Sequence, residues 1–196
     1  MEKNDVINFF NECACHWDEN MIRDDGIINI ILDNAGVNEN KDVLDVACGT
    51  GVLFPDYINR MVSSVTGIDI SPKMAEIAEK KFSGFDNIKV ICGDVEDMEN
   101  DKLYDCIMVY NAFPHFSDPE GLIEKLSAKV KQGGTVTVAH GMSRKAIDHH
   151  HSGSAHKVSL GLMSEDDLTE IFEKYLLNVT VKISNDNMYQ VTGIKI

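Results

Sequence analysis

The sequence predicts an α/β fold of three layers, α-β-α, built on a mostly parallel seven-stranded sheet that ends in an antiparallel C-terminal hairpin. Three observations carry that expectation. Between residues 43 and 140, short apolar runs alternate with helical stretches, the pattern of parallel strands covered on both faces. Pro55, Pro72 and Pro119 stand in the first turns of those stretches, where a missing backbone N–H is tolerated. The chain then closes on two alternating runs, 178–184 and 188–196, with Asn185-Asp186-Asn187 as their turn.

Taken in order, Val6, Phe9, Phe10, Cys13, Ala14 and Trp17 recur at helical spacing and predict an amphipathic first helix. Asp24 or Asp25 can cap a second, whose apolar face is Ile27, Ile28, Ile31, Leu32 and Ala35 before Gly36 ends it. Strands are expected at 43–47, 65–69, 88–92, 105–110 and 135–140, with helices at 52–61, 72–82 and 119–131 between them. After His140, residues 141–163 form a largely polar stretch, too long for an ordinary connection, that holds four of the seven histidines. Leu168, Ile171, Phe172, Tyr175 and Leu176 mark a closing helix. No repeat or linker divides the chain, so residues 1–196 are read as one domain. Its parts are a helical segment at 1–36, a core at 40–140, a further segment at 141–164, and the closing helix and hairpin at 165–196.

Composition narrows the function classes. Hydrophobic content of 43% beside 26% charged residues is ordinary for a globular chain, and no apolar run nears the ~20 residues of a membrane helix. The start, MEKNDVINFF, lacks the basic region and long apolar stretch of a secretory signal, so a cytosolic protein is expected. A net charge of −14 with no basic run longer than Lys80-Lys81 or Arg144-Lys145 argues against duplex nucleic acid as a partner and for a small molecule. A homodimer is the candidate assembly. The five cysteines, at irregular spacings, read as reduced thiols. Cys13-x-Cys15-His16 lies in a helical pattern and lacks the second cysteine pair of a zinc site.

The chemistry concentrates at Val43-Leu44-Asp45-Val46-Ala47-Cys48-Gly49-Thr50-Gly51, a buried strand that runs into a glycine turn and opens a helix. Glycines there let the backbone turn sharply against a ligand, with a helix N-terminus adding N–H donors. Dinucleotide-binding folds share this device, so the neighbours must decide. A GxGxxG fingerprint would place glycine at position 54, where this chain has Phe54, and Asp45 would repel a pyrophosphate but suits a cationic amino-acid group. Asp69, at the end of the next strand, suits ribose hydroxyls, and Asp94, after the third, can accept a hydrogen bond from an adenine amino group.

In this ordered set the sequence resembles class I S-adenosylmethionine-dependent methyltransferases of the ubiquinone/menaquinone-biosynthesis-like group, over about residues 40 to 140. The resemblance implies a Rossmann-like fold and the cofactor S-adenosylmethionine. It gives Asp45, Ala47, Gly49, Thr50 and Gly51 to the methionine part and Asp69 to the ribose. It also places Ile70 and Met74 beside the adenine, Asp94 and Val95 at its edge, and Asn111 near the methyl group. Residues 1–36 would form a lid over the core at 40–140, with Trp17 either covering the cofactor or packed in the core, and residues 141–164 would lie on the substrate side.

Methyl transfer is an in-line displacement in which positioning supplies much of the catalysis, and a histidine can remove the acceptor's proton. His115 and His151 are the candidate catalytic residues. His115, His140 and His151 are the candidate ligands of a divalent transition metal, since imidazole is a good ligand and these elements end on one side of the sheet. Asn111-Ala112-Phe113-Pro114 departs from the Asn-Pro-Pro-aromatic pattern of nucleic-acid amino methylation. That departure favours a small, partly apolar acceptor walled by Phe113, Phe116, Met142, Leu160 and Met163. The rival readings are a non-catalytic sensor or carrier that binds S-adenosylmethionine or a metal, and NAD-dependent redox chemistry.

Overall fold

The structure, a computed structural model, describes residues 1–98, 102–151 and 156–196, the side chains of Asn20, His150 and His151 excepted. Among these residues lie strands β1 (Asp42–Val46), β2 (Ser64–Asp69), β3 (Ile88–Cys92), β4 (Tyr104–Tyr110), β5 (Val130–His140), β6 (Leu177–Ser184) and β7 (Tyr189–Lys195). They form one sheet in the order β3-β2-β1-β4-β5-β7-β6. Pairing is parallel from β3 through β5, and β7 runs antiparallel between β5 and β6. The chain steps outward from β1 to β3 and then returns to β4 on the other side of β1. That reversal opens a crevice at the C-terminal ends of β1 and β4, where open α/β sheets bind ligands.

The helices are α1 (Lys3–Cys13), α2 (Trp17–Asn20), α3 (Asp25–Asn34), α4 (Phe54–Asn59), α5 (Pro72–Phe82), α6 (Pro119–Lys129), α7 (Arg144–His151) and α8 (Glu165–Lys174). Alternation along the strands sends side chains to both faces, and each face is covered. Val43, Val65 and Met108 pack with Ile31 and Leu32 of α3, Phe54 and Tyr57 of α4 and Phe82 of α5. Leu44, Ile107, Val109 and Val138 pack on the opposite face with Leu122 and Leu126 of α6 and Leu168 and Phe172 of α8. Among the described residues no helix is long and apolar enough to cross a membrane.

Local chemistry sets the boundaries. Asp24, Ser71, Asp118 and Ser164 cap α3, α5, α6 and α8 by accepting backbone N–H groups of their first turns. In the terminal hairpin Asn185 Oδ1 accepts from the N–H groups of Asn187 and Met188, which makes the expected turn.

The structure corrects the sequence reading in four places. The first helix stops at Cys13, and a 3-10 turn at Ala14–His16 redirects the chain so that Trp17 opens the separate α2. The polar stretch 141–163 holds α7 and a 3-10 turn at His156–Val158, because Ser143 Oγ accepts from Ala146 N–H and Ile147 is buried. Strand β5 starts at Val130, which pairs with Tyr104 ahead of an irregularity in the register. Finally, α4 spans only Phe54–Asn59, because Val52 and Leu53 belong to the turn before it and Arg60 and Met61 to the turn after it.

Phe54, in the place of a third glycine, is completely buried. Two other glycines make room for it. A Cβ on Gly67 would come within 2.5 Å of the Phe54 ring, and one on Gly51 would come within 2.9 Å of it and 2.7 Å of Phe82. Helix and strand therefore approach through Gly67 and Gly51 on either side of an aromatic ring. Gly67→Ala should destabilise the fold by roughly 1–3 kcal/mol through overpacking. In urea unfolding, Phe54→Leu in the same chain should recover part of that loss, and an additive double variant would contradict the packing account.

Candidate functional site

Asp69, the last residue of β2, joins two turns. Its Oδ2 accepts the Gly49 N–H and its Oδ1 the Ser71 N–H, both at 2.8 Å. The loops after β1 and β2 are thereby held at one distance from each other. Ala47 follows β1 with φ of 54° and Asn111 follows β4 with the same value, and both line the cleft. Left-handed backbone at an alanine costs about 1–2 kcal/mol, a strain that the surrounding hydrogen bonds must hold in place.

Ten of the twelve expected cofactor residues line this one cleft: Trp17, Asp45, Ala47, Gly49, Asp69, Ile70, Met74, Asp94, Val95 and Asn111. Thr50 and Gly51 do not line it. Thr50 is fully buried, and its hydroxyl donates to Asp18 Oδ1 at 2.5 Å, while Gly51 supplies the close packing described above. The two residues hold the loop and the segment above it, because successive positions in so tight a turn cannot all face one side.

The cleft is acidic. Asp45 is 2% exposed and Asp69 7%. Burial, with the Asp69 carboxylate nearby, pushes the Asp45 carboxyl up to about 8, and the Tyr57 hydroxyl beside it works in the opposite direction. Asp69 is also raised by burial, against which its two backbone N–H donors act. A ligand that brings positive charge favours the ionised form of both groups, whereas a pyrophosphate would oppose it. The donor set therefore fits a cofactor with an ammonium and a sulfonium.

The N-terminal segment crosses this cleft, and its contacts to the core are ones that local sequence patterns do not reveal. Lys3 pairs with Asp94 Oδ2 at 2.5 Å and Glu96 Oε2 at 2.7 Å, while Asp94 Oδ1 accepts the Glu96 N–H. Asn11 Oδ1 accepts from the Ser71 hydroxyl and the Lys73 N–H. Asp18 bridges Thr50 and Lys81. The Trp17 indole nitrogen lies 3.9 Å from where a Cβ on Gly49 would stand, so this ring covers the glycine turn. Arg23, which sequence reasoning missed, lines the cleft and grips both Asp56 oxygens at 2.7 Å and the Val52 carbonyl.

Of the candidate histidines, His115 lies in the cleft, on the 3-10 turn Phe113–His115 after β4. Its Nδ1 is 2.6 Å from the Val158 carbonyl, and Phe10 stacks edge-on against the ring at 5.0 Å between centroids. His140, at the end of β5, is buried with its ring against Tyr189. The His151 side chain lies outside the described residues. Among the described residues no group of three or more His, Cys, Asp or Glu side chains is placed to hold a metal ion. Four of the five expected acceptor walls, Phe113, Phe116, Leu160 and Met163, line a second groove, and Met142 does not.

Comparison with known proteins bears on the cleft. Residues 43–134 match the family described as a methyltransferase domain. The malonyl-[acyl-carrier protein] O-methyltransferase of Acetivibrio thermocellus is 33% identical over 111 residues, 55% of this chain and 39% of that protein. The same-named enzyme of Priestia megaterium is 29% identical over 69% of this chain and 49% of its own. The demethylmenaquinone methyltransferase of Tropheryma whipplei is 34% identical over 53% and 43%. The chain thus spans about half, or less, of the length of these relatives. Among solved structures, an S-adenosylmethionine-dependent methyltransferase from Aquifex aeolicus superposes with a TM-score of 0.70 at 21% identity, covering 86% of this chain and 89% of that one. The magnesium protoporphyrin IX methyltransferase of Synechocystis, solved with bound SAH, covers all of both chains with a TM-score of 0.75 at 15% identity. At such identities these likenesses establish the fold.

The buried carboxyl of Asp45 sets a pH signature. Between its ordinary value of 3.8 and about 8, the folded ligand-free chain keeps a proton at Asp45 that the unfolded chain has released. Folding stability from this group is therefore fully present below the unfolded value and is lost as pH rises across that window. Thermal midpoints measured from pH 5 to 9 should fall more steeply in the wild type than in Asp45→Asn. Parallel curves would show that Asp45 titrates normally.

Proposed function

We propose that this chain, whose residues 43–134 form a class I S-adenosylmethionine-dependent methyltransferase core, transfers a methyl group from S-adenosylmethionine to a small-molecule acceptor. The observation that carries the reading is the convergence of ten motif residues on one acidic cleft at the switch point of the sheet. When bound, S-adenosylmethionine supplies a methyl group on sulfur: the methyl–sulfur bond breaks as the methyl–acceptor bond forms, S-adenosylhomocysteine leaves, and a protic acceptor gives up one proton.

The residues of the chain have separable tasks. Each oxygen of Asp69 already accepts one backbone N–H, which leaves further lone pairs for ribose hydroxyls. Asp45, ionised in the presence of a cation, holds the amino group of the methionine part. Ile70 and Met74 flank the adenine, Val95 and the Asp94–Lys3 pair meet its edge, and Asn111 stands at the methyl end. Trp17 and Phe10, on the segment that crosses the cleft, exclude water there.

His115 takes the acceptor's proton. A carbonyl oxygen only accepts, so the contact to Val158 is made by a protonated Nδ1, which fixes the orientation of the ring in the cleft. His115 lines the same cleft as Asn111, which favours catalysis over the sensor or carrier reading. No step is assigned to His140, His151 or a metal. The names of the relatives, one specifying demethylmenaquinone and another a malonyl group on acyl-carrier protein, support an acceptor that presents a small reactive head.

A screen of thiols, phenols, quinols and amines with methyl-labelled S-adenosylmethionine tests the reading. At least one class should accept the label with stoichiometric S-adenosylhomocysteine. His115→Gln should keep the cofactor affinity while turnover of that acceptor falls by about 10²–10⁴-fold. Unchanged turnover would remove His115 from the chemistry, and cofactor binding without transfer to any class would favour the sensor.

A further inference from the structure

Tyr57, on α4, is completely buried, and its hydroxyl completes no hydrogen bond among the described residues. A buried hydroxyl without a partner is costly, and phenylalanine would fill the same space without that cost. The sheet shows what the hydroxyl stands beside. Alternate positions of β1 share a face, so Asp45 lies on the side of Val43, which packs with Tyr57. Across from Asp45 stand Gly67 of β2 and Met108 of β4, and neither side chain can donate a hydrogen bond. Phe54 and Tyr57 lie one turn apart on α4, with 6.3 Å between ring centroids. The first ring packs on Gly67, and the hydroxyl of the second lies beside Asp45.

The other groups around this pair do not replace the hydroxyl. From α3 and α5 come Ile28, Ile31, Leu32, Ala78 and Phe82, all apolar. The Asp69 carboxylate can only repel an ionised Asp45. Asp56, next to Tyr57 in sequence, is gripped by Arg23. The thiols of Cys48 and Cys106 turn to the carbonyls of Gly49 and Gly36.

We infer that Tyr57 is a positioning residue for the cofactor: when a bound ammonium favours ionised Asp45, the Tyr57 hydroxyl donates to one carboxylate oxygen and leaves the other to the ammonium. The Asp45 proton passes to solvent. This rests on the methyl-transfer reading and on its assignment of Asp45 to the amino group of the methionine part. A hydrogen bond to a charged acceptor is stronger than one to a neutral acceptor, so the hydroxyl favours the ionised form against the burial that opposes it. Burial holds the phenol itself protonated far above neutral pH, which keeps it a donor.

The test is calorimetric titration of S-adenosylhomocysteine, and of its analogue with hydrogen in place of the amino group, into the full wild-type chain and Tyr57→Phe from pH 6 to 8.5. Tyr57→Phe should weaken S-adenosylhomocysteine by about 10–100-fold at pH 7, the worth of a hydrogen bond to a charged group. It should leave the affinity for the deaminated analogue unchanged, which also shows that the variant is folded. Wild-type affinity for S-adenosylhomocysteine should rise with pH as Asp45 gives up its proton, and the rise should move to higher pH in the variant. Equal losses for both ligands, no loss for either, or a pH profile that does not move would each overturn the inference and leave the methyltransferase reading standing. Failure of S-adenosylhomocysteine to bind the wild type overturns that reading and this inference with it.

Discussion

The carboxylate of Asp69 is the constraint on which the site depends. It stands at the C-terminal end of β2 and accepts one N–H from each of the turns that follow β1 and β2. With those turns fixed, Gly49 and Ile70 face one cleft, and Asp45 is buried a short way beneath. Buried carboxylates near one another disfavour ionisation in the absence of a cation. The arrangement therefore holds a local electrostatic cost in the ligand-free fold, offset by the tight packing of Phe54 between Gly51 and Gly67. A ligand that carries positive charge relieves that cost, which couples cofactor affinity to the same two side chains that shape the cleft.

The N-terminal segment is held differently. Its contacts to the core are several and spread out: Lys3 on Asp94 and Glu96, Asn11 on Ser71, Asp18 on Thr50 and Lys81, Arg23 on Asp56. The Lys3 side chain is half exposed, and exposed ion pairs contribute only about 0–1 kcal/mol each. The Lys3 pairs therefore add little on their own, and the hold on the segment is spread over scattered contacts, of which the Arg23–Asp56 pair is the most sheltered. The groove beside His115 is shaped by the segment after β4, which also lines the cleft, together with residues of α7 and the stretch after it, and the two share Phe116.

Much of this was legible in the sequence. The strands and the terminal hairpin were readable because apolar runs and period-two alternation are local signals, as were the carboxylates at strand ends. The parts that escaped depend on distant residues. The extension of β5 to Val130 follows from pairing with Tyr104, and α7 forms within a polar stretch because Ile147 finds a buried place. Thr50 and Gly51 sit in the motif and invite a ligand contact, yet their partners are Asp18 and the rings of Phe54 and Phe82. The ion pairs of Lys3 and Arg23 span 93 and 33 residues and have no local pattern at all. His140 looked equivalent to His115 as the end of a strand, but its ring is buried against Tyr189.

The central claim is that the Asp69-centred cleft binds a sulfonium cofactor. Calorimetric titration of S-adenosylmethionine, S-adenosylhomocysteine and NAD into the wild-type chain and Asp69→Asn tests it most directly. The account predicts one site per chain for both sulfur ligands, none for NAD, and at least a tenfold loss of affinity in Asp69→Asn. Absence of binding by both sulfur ligands, or tight binding of NAD in their place, would contradict it.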